Sequence, residues 1–529
     1  MSPLSRRLGR RTLLRSAAFG TVGLGAVGLG AVALPLGLTG CGGPGLVRSE
    51  RPVLTHGVQS GDVLSGSGLV WTRADRPSRM IVEAADNPEF RNARRLVGPM
   101  LTPDTDLTGR LRVPGGGAAA GTVYFRVTAE DPDGRAASEA ATGSFRTGPA
   151  PDGSARFVWS GDIVGQGWGI NPDLGGMKIF SAMAARDPDF FLCSGDTVYA
   201  DGPLKETVTL PDGRTWRNLM TPEKSKVAET LAEFRGQFAY NLRDEHFRGF
   251  TSRVPQLNQW DDHEVLNNWY PGEVLTDERY TEKRVDVLAG RAFQAFHEWV
   301  PLDPRQAVDG RVYRRSSWGP HLDIFVIDMR TYRDANGANT GPAGRILGQQ
   351  QARWLADGLA SSRATWKVVA SDMPIGVLVK DGDAAWEAVA NGAPGVASGR
   401  EAEIAELLRS LKQRGVRNVV WLTADVHYTA AHRYSPERAA AAGGFPDFNE
   451  FWEFVSGPLQ AGAGAAGQLD PTFGPEVAFV RGAPPDRSSP LDGFQHFGEV
   501  RVAPGGRQMT VTLRGQAGEE LWATTLDAR

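Results

Sequence analysis

The sequence predicts an α/β protein with an all-β segment in front, and three observations carry that expectation. Residues 51–149 alternate short β-like runs with turn clusters. From Ala155 onward apolar strands alternate with helical patterns, and several of those strands stop at an aspartate. At 529 residues, two or three domains are expected.

Residues 1–40 read as an address. Arg10-Arg11-Thr12-Leu13-Leu14-Arg15 fits the twin-arginine export pattern and precedes an uncharged Gly/Ala/Leu/Val run from Ala17 to Leu38. That run is glycine-rich, which suits a cleaved signal better than a permanent span, although its length alone would allow an anchor. Leu38-Thr39-Gly40-Cys41 resembles a lipoprotein box, with Cys41 as the lipidated residue; an ordinary signal that contains a cysteine is the other reading. The expected location is outside the cytoplasm, periplasmic or at the cell surface, reached through the twin-arginine machinery. That machinery carries folded proteins, often with a metal already loaded.

The formal charge of −3 gives no electrostatic case for nucleic acid. Two cysteines, Cys41 and Cys193, exclude a disulfide framework and a thiolate zinc site.

In the front segment, Gly68 to Arg73, Met80 to Ala84 and Thr122 to Val127 read as strands, and Pro132-Asp133-Gly134 as a hairpin turn. Several short strands without helical period suggest an immunoglobulin-like sandwich over 51–149. Gly148 to Gly153 reads as the linker into a second domain, 155–529. There Arg156 to Asp162 is a strand ending in a carboxylate, and Met177 to Arg186 has helical spacing. Phe190 to Ser194 is an apolar run that stops at Gly195-Asp196, with Tyr199 three residues on. A polar insertion follows Asp201, then helices over Ser225–Tyr240 and Arg279–Trp299 on either side of Trp260-Asp261-Asp262-His263-Glu264. Asp323 to Asp328 is a further strand. Helices over Gly348–Ala360 and Glu401–Arg414 feed strands that run into Asp372 and into Asp425-Val426-His427.

Each of these aspartates alone reads as a cap or turn residue. Together, if the strands share one sheet, Asp162, Asp196, Asp262, His263, Asp425 and His427 converge on one rim, where open α/β sheets bind ligands. So many carboxylates cannot stay ionised and dry without cations. Oxygen donors with few imidazoles select hard cations: calcium, magnesium, manganese or ferric iron, the last favoured by a phenolate such as Tyr199. Two ions bridged by Asp196 would bind phosphate and acidify a water for in-line attack on phosphorus, with His263 protonating the leaving oxygen.

The ordered motifs are Leu54 to Asp62, Ser194 to Tyr199, Trp260 to Asn268, Asp328 to Arg333, Thr423 to His427 and Phe451 to Leu459. In these the chain resembles the PhoD-type alkaline phosphatases, metallophosphatases related to purple acid phosphatases and to some phospholipase D-like phosphodiesterases. The resemblance covers nearly everything after the signal. It implies a β-sandwich of immunoglobulin or fibronectin type III kind and a four-layered αββα metallophosphatase-like core. It also implies ferric iron with calcium (magnesium or manganese being alternatives) and activity on phosphomonoesters. By motif position it makes Asp162, Asp196, Tyr199, Asp262, Asn267, Asp425 and His427 metal ligands, with Asn268 as an alternative to Asn267. His263 and Arg330 become the groups near phosphate, although Arg330 and Arg333 also read as structural ion-pair partners. The best-known members carry an iron-binding cysteine where Asp162 stands, which puts metal identity in doubt, and Cys193 reads as a buried apolar residue.

The expectation is an exported, metal-dependent alkaline phosphatase. A phosphodiesterase or phospholipase D-like enzyme, acting on phospholipid, is the alternative within the family. A non-catalytic surface-binding lipoprotein is the alternative of another class, and the intact ligand set argues against it.

Overall fold

A computed structural model describes residues 51–529 apart from 116–120, 308–309, 343 and 394. The twin-arginine run and Cys41 lie outside the described residues. The front segment contributes β1 (Leu54–Leu64), β2 (Ser67–Ala74), β3 (Ser78–Ala85), β4 (Arg94–Leu101), β5 (Thr108–Pro114), β6 (Thr122–Glu130) and β7 (Ala141–Arg146). The next stretch runs β8 (Ala155–Ser160), α1 (Ile179–Ala184), β9 (Phe190–Ser194), the small hairpin β10 (Thr207–Thr209) and β11 (Thr215–Arg217), α2 (Leu231–Asn241), α3 (Glu245–Thr251), β12 (Gln256–Gln259) and α4 (Val285–Trp299). Then come β13 (Arg314–Ser317), β14 (Leu322–Val326), α5 (Gly348–Ser361), β15 (Trp366–Ala370), a second hairpin of β16 (Lys380–Asp381) and β17 (Ala385–Trp386), α6 (Arg400–Gln413) and β18 (Val419–Thr423). The chain closes with β19 (Thr429–Tyr434), α7 (Pro436–Ala441), β20 (Phe451–Val455), β21 (Pro475–Arg481), β22 (His496–Val502), β23 (Gln508–Gly515) and β24 (Glu520–Asp527).

The strands do not share one sheet, which corrects the single-rim expectation. A nine-stranded sheet has the order β24-β23-β22-β8-β9-β12-β1-β2-β5, and a seven-stranded sheet the order β13-β14-β15-β18-β20-β19-β21. In each the centre is parallel: β8 with β9 and β9 with β12 in one, β14 with β15 and β15 with β18 in the other. Strand periodicity explains the layering. Phe157, Trp159, Phe190 and Leu192 pack with Ile324, Val326, Val368, Val420 and Leu422 between the two sheets. The alternate residues Val158, Phe191 and Cys193 face the cluster built by α1 to α4, while Phe325, Val369 and Trp421 face the one built by α5 and α6. Both faces of the parallel strands are therefore buried, as their unbroken apolar runs require.

The front segment is all-β, but one of its sheets is not its own. β4-β3-β6-β7 form a separate four-stranded antiparallel sheet, whereas β1, β2 and β5 extend the nine-stranded sheet beyond β12, with Gly61 in register with Gln256. The boundary at residues 149–155 thus marks a change in sequence texture, not the edge of that sheet. Polar groups bind the two parts: Asp62 accepts from Arg314 at 2.8 Å with both side chains buried, and Trp71 Nε1 donates to Glu298 O at 2.8 Å.

Helix limits moved where caps decide them. α2 starts at Leu231, not Ser225, because Thr230 and Glu233 form a reciprocal capping box. α3, α7 and the last four strands had escaped the sequence reading. Among the described residues no helix is long and apolar enough to cross a membrane.

Asp62→Ala would leave Arg314 buried and unpaired, and should lower the unfolding free energy by about 3–5 kcal/mol in chemical denaturation. The exposed partner swap Arg51→Ala should leave the denaturation midpoint where it is. An unchanged midpoint for Asp62→Ala would show that this pair does not hold the front strands to the core.

Candidate metal centre

The two parallel sheet centres deliver their carboxyl ends to one place. Asp162 follows β8, Asp196 follows β9 and Asp262-His263 follow β12, while Asp425 and His427 follow β18 in the other sheet. Asp162, Asp196, Asp425 and His427 adopt positive φ of 59°, 47°, 67° and 58°. Asp tolerates this region better than most residues. The turns lock together: Ile163 N donates to Asp196 O at 2.9 Å, and three successive amides, Leu459 to Ala461, donate to Asp162 O.

Three groups of side chains offer ligand atoms within 4.8 Å of one another: Asp162, Asp196 and His427; Asp196, Asp262 and His263; and Asp261, Asp262 and Asp425. Asp196 belongs to the first two and is the bridge between them. Tyr199 joins the first, its hydroxyl 2.8 Å from His427 Nε2. Close packing needs glycine at two positions here. A Cβ at Gly457 would lie 2.1 Å from Asp162 Oδ2, and one at Gly165 would lie 2.0 Å from the Tyr199 ring.

The donor set fits hard cations. Both carboxylate oxygens of Asp162, together with Asp262 Oδ1, are buried without a hydrogen-bond partner, a costly arrangement unless a cation takes the lone pairs. Burial, then repulsion from Asp261, pushes the Asp162 and Asp425 carboxyls well above the usual carboxylate range, with Asp262 adding to the effect at Asp162 and Glu387 at Asp425. Burial also raises Asp196, against the pull of His263. Asp262 is the exception. Against the cost of burial, Arg330, His263 and the Asn268 amide hold it at about 2.

His263 is held by a residue the sequence reading did not single out as a site. Asp201 Oδ1 accepts from His263 Nδ1 at 2.7 Å, and its other oxygen accepts from Asn267 N at 2.9 Å. Nε2 is thereby left to face the clusters. Burial opposes the imidazolium, but Asp201, Asp262 and Asp196 hold its pKa well above the usual histidine range. Glu264 braces the two loops by accepting from Thr197 N at 2.6 Å and Asp261 N at 2.8 Å.

Two expected site residues take other positions. The Asn267 side chain is exposed, and only its backbone reaches the site, through Asp201. Asn268 donates its backbone N–H to Asp262 Oδ2 and its side-chain amide to Asp381 Oδ1 at 3.3 Å. Arg330 is fully enclosed among carboxylates. Cys193 faces the helical layer, where burial pushes its thiol to about 12.

The sequence pattern of the PhoD-like phosphatases matches residues 157–513, and that of their N-terminal domain matches residues 42–149. Alkaline phosphatase D of Bacillus subtilis (strain 168) is 27% identical over 401 residues, which is 70% of this chain and 64% of the relative's length. A solved structure of PhoD superposes with a TM-score of 0.67 at 22% identity, covering 90% of each chain. A purple acid phosphatase from yellow lupin (Lupinus luteus) seeds gives 0.50 at 13% identity, over 90% of this chain and 74% of that one. At these identities the two structures speak for the fold.

Because Asp196 serves two clusters, Asp196→Asn should remove more bound metal than Asp162→Asn or Asp425→Asn, as measured by elemental analysis of the folded proteins. Full metal content in Asp196→Asn would remove it from the bridging position.

Proposed function

The chain belongs to the PhoD-like phosphatase family, and on that premise we propose that it is a metal-dependent phosphoric ester hydrolase acting on phosphomonoesters. The observation that carries this reading is the sharing of Asp196 between two adjacent ligand groups. Asp162, Asp196, Tyr199 and His427 would hold one ion, and Asp196, Asp262 and Asp425 its neighbour. When bound, hard cations supply positive charge to a phosphoryl group and make water more acidic. Ferric iron with calcium is our assignment, supported by the phenol of Tyr199 beside otherwise hard oxygen donors; Asp162 in place of a thiolate makes the first site harder.

The protein's own groups do the remaining work. Asp201 fixes the Nδ1–H of His263, so that Nε2 can hold a proton for the leaving oxygen. The low accessibility of Asp162, Asp196 and Tyr199 keeps bulk water from the inner ligands. Residues 51–149 and 155–529 are assigned as a β-rich front domain and the phosphatase domain, in line with the two matched patterns. Twin-arginine export and lipidation of Cys41 are proposed on residues 10–41 of the sequence.

Metal-replete protein should hydrolyse p-nitrophenyl phosphate in preference to bis-p-nitrophenyl phosphate, and a chelator should abolish both. Preference for the diester would select the phosphodiesterase reading, and turnover of neither by metal-loaded protein would select a binding protein. His263→Ala should lower kcat by about 10²–10⁴-fold if the imidazole serves as the acid, whereas unchanged kcat would exclude that role.

A further inference from the structure

Behind the clusters lies a buried cation that no ligand role accounts for. Arg330 follows β14 and is completely enclosed. Its Nε donates to Asp261 Oδ1 at 2.6 Å and lies 3.8 Å from Asp372 Oδ2. Nη1 donates to Glu387 Oε1, and Nη2 lies 3.6 Å from Asp425 Oδ1 and 3.9 Å from Asp262 Oδ2. Nη2 has no hydrogen-bond partner of its own, so its charge is directed at the two candidate ligands without being satisfied by either.

Glu387 sets that orientation. It follows the β16–β17 hairpin, and its Oε1 also accepts from Arg333 Nη1 at 2.9 Å. The backbone around it is pinned. Glu387 N donates to Val379 O at 3.0 Å, and Glu387 O accepts from Arg333 and, at 2.8 Å, from Arg400 Nη1. The same hairpin reaches the ligands by a second route, through Asp381, Asn268 and the Asn268 amide on Asp262.

We propose that Glu387 and Arg330 are positioning residues for the metal-binding carboxylates. Arg330 aims Asp262 and Asp425 inward, and Glu387 both turns the guanidinium and offsets its charge so that it does not repel an incoming cation. The inference rests on reading the clusters as metal sites. Loss of Glu387's charge removes one of the anions that offset Arg330 and Arg333 and makes the surroundings of the ligands more positive, so the sign of the effect is fixed: weaker cation binding.

The test is calcium titration of chelator-treated full-length protein by calorimetry, with circular dichroism as the check on folding and p-nitrophenyl phosphate kinetics on protein reloaded with ferric iron and saturating calcium. Glu387→Gln should fold and bind calcium ~10–100-fold more weakly, with the kinetic loss in kcat rather than KM. Glu387→Asp should recover part of both. Arg330→Lys, which keeps the charge but not the planar fork, should also weaken binding. A folded Glu387→Gln with the parent's calcium affinity would overturn the proposal. So would loss of folding in both Glu387→Gln and Arg330→Lys, which would leave the pair a structural role alone. Calcium binding without ester turnover by parent protein reloaded with both ferric iron and calcium would remove the hydrolase reading and leave this one standing. No calcium binding by the parent would remove both.

Discussion

Mutual repulsion among enclosed carboxylates is the constraint to which the centre of this protein answers. Asp162, Asp196, Asp261, Asp262, Asp372, Asp425 and Glu387 meet in a region with little access to water. In a low-dielectric interior such a group of like charges is tolerated only if protons, fixed cations or metal ions intervene. The protein supplies part of the compensation itself, through Arg330 and Arg333. What remains uncompensated is concentrated at Asp162, both of whose oxygens lack a hydrogen-bond donor. The distribution of internal cations therefore marks out which carboxylates are left for an ion.

The sheets explain how such a group can be assembled at all. A parallel strand ends where its backbone amides and side chains can turn over the rim, and two sheets packed face to face bring two rims to one edge. Each ligand-bearing turn bonds to the next, Asp162 with Asp196 and the Leu459 segment with Asp162. Most of the ordering cost of the ligands is thus met by the fold before any ion arrives.

Much of this was legible in the sequence, and the parts that were not have physical reasons. Apolar runs stopping at Asp162, Asp196 and Asp425 were plain because buried parallel strands leave a continuous signature. That they lie in two sheets was not, since periodicity reports burial and not partner. Asp201 and Glu387 sit in irregular segments whose composition resembles any polar loop, and only geometry joins them to His263 and Arg330. Asn267 and Asn268 are adjacent, and the positive φ that makes Asn268 the one turned toward Asp262 leaves no mark in composition. The front segment looked self-contained because its strands alternate like those of any sandwich. The pairing of Gly61 with Gln256 has no local signal.

That pairing has a consequence for biosynthesis. When a ribosome has finished the first hundred and fifty residues, β1 still lacks the neighbour that joins β1, β2 and β5 to the rest of their sheet, which arrives only with β12. The inner edge of β1 stays unpaired until about a hundred further residues, as far as Gln256, have been added. The molecule matures late and as a whole, its beginning completed by its middle.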